Sequence, residues 1–239
     1  HLRDFTATGD INGAMDKLAY LKAMGVNAIE LMPTQEFDGN DSWGYNPCYF
    51  FAMDKAYGTK KDYKDFIDAC HKEGIAVILD VVYNHATGDF PHAKLYWNAS
   101  ANKTASNNPF FNVDAPHPYS VFHDFNHENK WVRNYVKRNL KFLLEEYNLD
   151  GFRFDLMAIH DIETMNLIRT RLEALKPSIL LYGEGWAAAN PLYDESKLAF
   201  KRYTYQMPGV GAFSDDIRDG LRGKLDLSAG GFIHGVAGN

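Results

Sequence analysis

The chain has 239 residues, 46% of them hydrophobic and 23% charged, the composition of a globular protein with a sizeable core. A formal charge of -6, with its 25 Lys and Arg residues scattered rather than clustered, gives no electrostatic footprint for nucleic acid or an anionic membrane. No apolar run approaches the roughly 18 residues of a membrane span, and two cysteines, Cys48 and Cys70, are too few for a disulfide scaffold and lack metal-ligand spacing, so both are expected as unpaired thiols.

The start, "HLRDFTATGD", is neither a signal peptide nor an initiating Met, so the chain is expected to begin inside something longer. From residue 12, "NGAMDKLAYLKAMGVNAIELMP" places Met15, Leu18, Leu21 and Met24 at helical spacing, then Gly25 as a stop and a short strand closed by Pro33. The same grammar recurs in "KKDYKDFIDACHKEGIAVILD", where Gly74 precedes a run apolar on both faces, as a buried parallel strand requires. It recurs again in "WVRNYVKRNLKFLLEEYNLDGFRFD" and "DIETMNLIRTRLEALKPSILLYGEG", and "GVGAF" (209–213) reads as a fifth strand.

Helix and strand in alternation predict βα units around a parallel sheet. An open doubly wound sheet would satisfy the alternation, but the Gly-rich phosphate turn after the first strand is absent and polar residues gather at the strands' C-terminal ends. That favours an α/β fold of the (β/α)8 TIM-barrel type, whose chemistry sits on the loops after the strands. Residues 1–85 are read as one barrel part and 131–239 as another. Between them, 86–130 is rich in Pro, Asn, His and aromatics without periodicity, too long for a plain connection, and is expected to lie over the active-site face. Its histidines, His92, His117, His123 and His127, lack ordered ligand spacing and are expected as hydrogen-bonded loop residues.

The strand ends carry the chemistry: Asp80 with Asn84 and His85, Arg153 with Asp155, and Glu184 followed by Trp186. Arg153 and Asp155 share one face of their strand while Phe152 and Phe154 share the other. Asp155 and Glu184 are 29 residues apart, the length of one βα unit, so they should end adjacent strands. Adjacent strands are about 4.8 Å apart, which suits the roughly 5 to 5.5 Å carboxyl separation of a retaining glycosidase. Arg153 would keep Asp155 ionised, and Glu184, with no such partner in its strand, would stay protonated as the acid. The same spacing also suits a structural Arg–Asp ion pair beside an ordinary surface Glu.

Three stretches, "DVVYNH" (80–85), "GFRFD" (151–155) and "GEGW" (183–186), resemble in order three signature regions of the alpha-amylase family, glycoside hydrolase family 13. "WGYNP" (43–47), "YGEGW" and "MPGVGAFSDDIRDGLRG" (207–223) are similar to its type I pullulanase branch, whereas "NPFFNVDAPHPYSVFHDFNHEN" is similar to amylase and branching-enzyme relatives. The resemblance implies a retaining hydrolase acting on an alpha-glucan polysaccharide, with α-1,6 debranching foremost and an α-1,4-amylase or branching enzyme as the alternative. Carried over, it makes Asp155 the nucleophile, Glu184 the general acid/base and Arg153 the residue that orients Asp155. It also makes Tyr45 a stacking platform, His85 a hydroxyl partner, Asp80 the holder of the local polar network and Trp186 a further substrate platform. No cofactor is required by the resemblance. Asn84 matches a calcium ligand of many amylases that pullulanases often lack, so calcium is the one candidate metal ion.

The family's third carboxylate, after its seventh strand, has no counterpart here, and the chain is expected to be a fragment equivalent to strands two through six. Its open edges would favour self-association. A catalytically inactive fragment that binds glucan without cutting it is the further alternative. A metal-dependent barrel hydrolase is disfavoured, because "AIELMP" offers no His-x-His at its strand end.

Overall fold

The computed structural model of the chain describes residues 1–119, 121–186, 194–226 and 228–236. Five parallel strands form one sheet: β1 (Ala28–Leu31), β2 (Ala76–Val81), β3 (Gly151–Phe154), β4 (Leu180–Gly183) and β5 (Gly211–Ala212), side by side in chain order. These are the five strands expected from the alternation, and the sheet is part of a (β/α)8 barrel. Between them run α1 (Lys60–Lys72), α2 (Lys130–Tyr147) and α3 (Ile162–Glu173), with α4 (Asp215–Arg222) after β5.

Local chemistry explains the boundaries. Thr59 and Asp62 form a reciprocal capping box at the start of α1, and Asn129 and Asp161 accept backbone N–H bonds at the starts of α2 and α3. The predicted stops act as such: Gly74 is left-handed at φ 70° and its neighbour Ile75 donates to Cys70 O at 2.9 Å, the wider bond of a Schellman end. In α2 the left-handed position falls to Asn148, whose side chain tolerates it.

The first predicted helix is corrected. It is two short pieces, Ile11–Met15 and Leu18–Ala23, because Lys17 N–H bonds Ala14 O, an i to i−3 contact that tightens the turn and ends the first piece; Met24, expected on the apolar stripe, is exposed. Between β4 and β5 the described residues form 3₁₀ turns, Glu195–Lys197 and Lys201–Gln206, where alternation called for a full helix.

The sheet is curled. Val77, Leu79, Val81, Phe152, Phe154 and Leu181 face the helices and are buried, whereas Asp80, Arg153 and Tyr182 share the other face in register. On that face Tyr182 OH, on β4, donates to Glu30, on β1. In a flat sheet those two strands would lie about 14 Å apart, beyond the reach of the two side chains, so the face is concave. Among the described residues β1 and β5 pair on one side only.

After β1 an antiparallel pair, Gln35–Phe37 with Pro47–Met53, carries the loop containing Tyr45. After β2, the described residues of 86–130 form two two-residue ladders, His85–Ala86 with His123–Asp124 and Trp97–Asn98 with Lys103–Thr104, and a single bridge between Phe111 and Phe125. This segment is organised by aromatic packing instead: Phe90, Phe111 and Phe125 pack on one another, and Phe90 and Phe125 on Phe50. Phe125 N–H donates to Asn84 O at 3.0 Å, stitching the segment to the end of β2. His117 bonds Asp124 at 2.7 Å and His127 bonds Tyr83 O at 2.7 Å, as expected of loop histidines, while His92 stacks on Phe110. Cys48 and Cys70 are both free and buried. Among the described residues no helix is long and apolar enough to cross a membrane.

A buried polar knot joins these layers. Asn139 of α2, fully buried, donates to Phe50 O at 2.8 Å and accepts from Gln35 at 2.9 Å and from Tyr83 OH. Its removal leaves the buried Tyr83 hydroxyl without its acceptor and takes one bond each from Gln35 Nε2 and Phe50 O, which keep the 2.8 Å bond to each other. Asn139→Ala should cost about 3 kcal/mol, read as a lower urea midpoint at unchanged slope.

Candidate active site

Every candidate side chain except Trp186 belongs to one hydrogen-bonded assembly at the C-terminal ends of β2, β3 and β4. Its centre is Arg153, only 8% exposed. Nη1 bonds Asp80 at 2.8 Å and Asp155 at 3.0 Å, and Nη2 bonds Glu184 at 2.7 Å. A planar guanidinium with five donors fixed in a fork can hold three carboxylates at once. Its ionised form is favoured: burial works against the charge, but the carboxylates of Asp80, Glu184 and Asp155 together raise its pKa above the usual value.

Adjacency and register place the carboxylates. Phe154 pairs with Gly183, so Asp155 and Glu184 each leave the sheet one residue later, at matching heights. Glu184 N–H donates to Phe154 O at 3.1 Å, and Leu156 N–H donates to Glu184 Oε2 at 3.0 Å. To present that N–H, Leu156 adopts φ 41°, a left-handed backbone that a leucine rarely takes. The two carboxyl residues are therefore interlocked through their backbones.

Two electrostatic expectations are corrected. Glu184 does have a cationic partner, because the fork of Arg153 reaches across from the neighbouring strand, a contact invisible along a single strand. Asp155 is not held below the ordinary carboxylate range: burial pushes its pKa up, Glu184 adds to this, and Arg153 and Asn84 only partly offset the rise.

Asp80 is almost wholly buried and its pKa is pushed up to about 7 by desolvation, against the opposing pull of Arg153 and a 2.8 Å bond from Tyr45 OH. Tyr45 is half-buried; its carbonyl accepts from His85 Nε2 at 2.7 Å. Since a carbonyl only accepts, Nε2 carries the hydrogen, and Nδ1 of the neutral ring is left as an acceptor. Burial lowers the pKa of His85, consistent with a neutral ring.

Asn84 donates to Asp155 Oδ2 at 2.9 Å. Its Oδ1 is buried without a partner, which would suit a cation, but among the described residues no group of three His, Cys, Asp or Glu side chains converges to hold a metal. Asn84 is a second fixed donor to Asp155.

Trp186 stands apart from the hydrogen-bonded group, stacked on Phe213 at 6.3 Å with Arg218 over its ring at 5.4 Å. Phe213 in turn covers Arg153, with its ring centroid 5.9 Å from the guanidinium carbon. Sequence reasoning passed over Phe213, which directly follows β5, because the strand-end rule looked for polar residues.

The family model for "Alpha amylase, catalytic domain" matches residues 3–120. The chain is 36% identical to pullulanase of Bacillus subtilis (strain 168), over 98% of this chain and 36% of that protein. It is 34% identical to malto-oligosyltrehalose trehalohydrolase of Saccharolobus solfataricus, over 68% of this chain and 27% of that protein. Its fold matches a crystal structure of pullulanase from Anoxybacillus sp. LM18-11 complexed with maltotetraose at a TM-score of 0.85 and 31% identity, covering 99% of this chain and 39% of that one. The chain thus spans under two fifths of the length of each of these relatives.

Asp80 titrates with a sign that can be tested. Its pKa of about 7 lies above the ordinary 3.8, so the folded state holds its proton more tightly than the unfolded chain does. The contribution of Asp80 to stability is fully present below the ordinary value and is lost as pH rises toward 7. Asp80→Asn has no such slope. The unfolding free energy of the variant minus that of the parent should increase from pH 4 to pH 7, followed by denaturant titration; a flat difference would mean that Arg153 fully compensates the buried charge.

Proposed function

Because the chain belongs to the alpha-amylase catalytic-domain family, we propose that it hydrolyses α-glucans with retention of configuration, α-1,6 branch linkages foremost. The observation that carries this reading is the single guanidinium of Arg153 holding Asp80, Asp155 and Glu184 at the ends of neighbouring strands. A structural ion pair needs one carboxylate; gathering three at the open end of a barrel sheet concentrates negative charge where it costs stability and serves chemistry.

Asp155 attacks the anomeric carbon as Glu184 gives a proton to the departing glycosidic oxygen, forming a glycosyl–Asp155 ester. Glu184, now ionised, takes a proton from a water that attacks the same carbon and releases Asp155. The guanidinium of Arg153 and the amide of Asn84 fix the attacking carboxylate. Both oxygens of Glu184 are engaged in the free chain, Oε1 in the ion pair with Arg153 and Oε2 accepting from Leu156 N–H, so the side chain must turn one oxygen toward the glycosidic oxygen to deliver its proton. Tyr45 and His85 face the sugar undergoing attack, and Trp186 with Phe213 forms an aromatic wall on the Glu184 side.

The likeness to relatives named pullulanase and the "WGYNP" and "YGEGW" stretches support debranching as the first reading. The trehalohydrolase likeness supports a second reading, hydrolysis of a malto-oligosyltrehalose at its trehalose end. Offered pullulan, linear amylose and malto-oligosyltrehalose in parallel, the protein should release maltotriose from pullulan. Asp155→Asn and Glu184→Gln should each lower that rate by on the order of 10³-fold or more. Wild-type rates from either folded variant would remove it from the chemistry, and trehalose as the principal product would establish the second reading.

A further inference from the structure

We propose that Phe122 is a sugar-stacking platform that carries the glycone arm of the substrate from the reacting unit into a polar cleft of the 86–130 segment. This rests on the α-glucan reading above and adds to it a binding position on a residue outside the hydrogen-bonded assembly.

Among the described residues four non-glycine residues have left-handed backbone: Asn102, Phe122, Asn148 and Leu156. Asparagine tolerates that conformation, and Leu156 adopts it to present its N–H to Glu184. Phe122, at φ 49°, has no comparable local reason. Burial does not compensate, because 59% of the residue is exposed. A strained backbone that leaves most of a large apolar ring in water, with one aromatic contact to His85, gains little burial in the free chain, as a contact reserved for a ligand would.

The position of the ring says which ligand. His123 and Asp124, the next two residues, pair with His85 and Ala86, so the reach of Phe122 is locked to the end of β2. Its ring lies 5.5 Å from that of His85, tilted by 44°. Beyond it opens a cleft of about 200 Å³ lined by Asn102, Lys103, Asn112, Asp114 and Phe122 itself. A flat apolar face flanked by amide and charged groups matches a pyranose, which offers C–H groups on its faces and hydroxyls around its edge. Glu184, which protonates the departing side, and Trp186 and Phe213 follow β4 and β5, whereas Tyr45, His85 and Phe122 are carried by segments after β1 and β2, on the other side of β3 and Asp155 in the sheet order and so toward the part of the substrate that becomes attached to Asp155. Phe122 therefore meets the glucose units beyond the reacting one.

Phe122→Asn removes the ring and keeps a residue that tolerates the backbone. Titrated calorimetrically, the variant should bind maltotriose about tenfold more weakly than the parent, keep a urea midpoint equal to or above it, and bind glucose as the parent does. Phe122→Tyr should restore maltotriose affinity to within about twofold, since the phenol ring keeps the stacking face. Equal maltotriose affinity in Phe122→Asn, a lowered midpoint that makes the ring structural, or no maltotriose binding by the parent would each overturn the proposal. Pullulan hydrolysis measured alongside separates the two claims. A parent that binds maltotriose through Phe122 but cleaves no glucan leaves the platform standing without the hydrolase; a Phe122→Asn variant that cleaves pullulan with parental KM and kcat does the reverse.

Discussion

The site depends on one constraint: a guanidinium 8% exposed must be surrounded by enough negative charge to remain ionised where water cannot solvate it. Three carboxylates meet that need, and each comes from a different strand end. The parallel sheet makes the arrangement accessible, because neighbouring strands end at the same height and about 4.8 Å apart. Curling of the sheet then turns those ends toward a common point. Arg153 is thus both the electrostatic anchor of the strand ends and the group that fixes the geometry of Asp155 and Glu184.

That anchor is supported from below and beside. Tyr45 and Asp80 bond on the far side of Arg153, His85 holds the Tyr45 loop by its carbonyl, and Asn84 fixes the remaining oxygen of Asp155. Tyr83, the residue before Asn84, is pinned by Asn139 of α2 through its hydroxyl and by His127 through its carbonyl. The loop after β2 is therefore fixed from the helix layer and from the 86–130 segment at once, the rigid support that a preorganised site requires. Beneath it the rings of His127 and His160 pack at 4.2 Å, tilted by 30°, and burial lowers the pKa of both, disfavouring added positive charge beneath the site.

The polar assembly is offset by aromatic groups of two kinds. Phe50, Phe90, Phe111 and Phe125 are buried and give the 86–130 segment its shape in place of regular secondary structure. Trp186, Phe213 and Phe122 instead line the open end, where an apolar ring can meet a sugar face. Composition alone does not separate the two groups; position relative to the strand ends does.

Much of this was legible in the sequence. The helix, glycine, strand grammar located the strands, since glycine at a helix end and apolar runs at period two are local requirements. The strand-end rule found Asp80, Arg153, Asp155 and Glu184, because parallel strands all end at the same edge of the sheet, where their polar residues gather. What the sequence could not determine was contact between strands. That Arg153 also holds Glu184, that desolvation outweighs its charge at Asp155, that Asn84 serves Asp155, and that Phe122 and Phe213 flank the site all depend on curvature and burial. These are properties of the assembled sheet, and no single strand carries them.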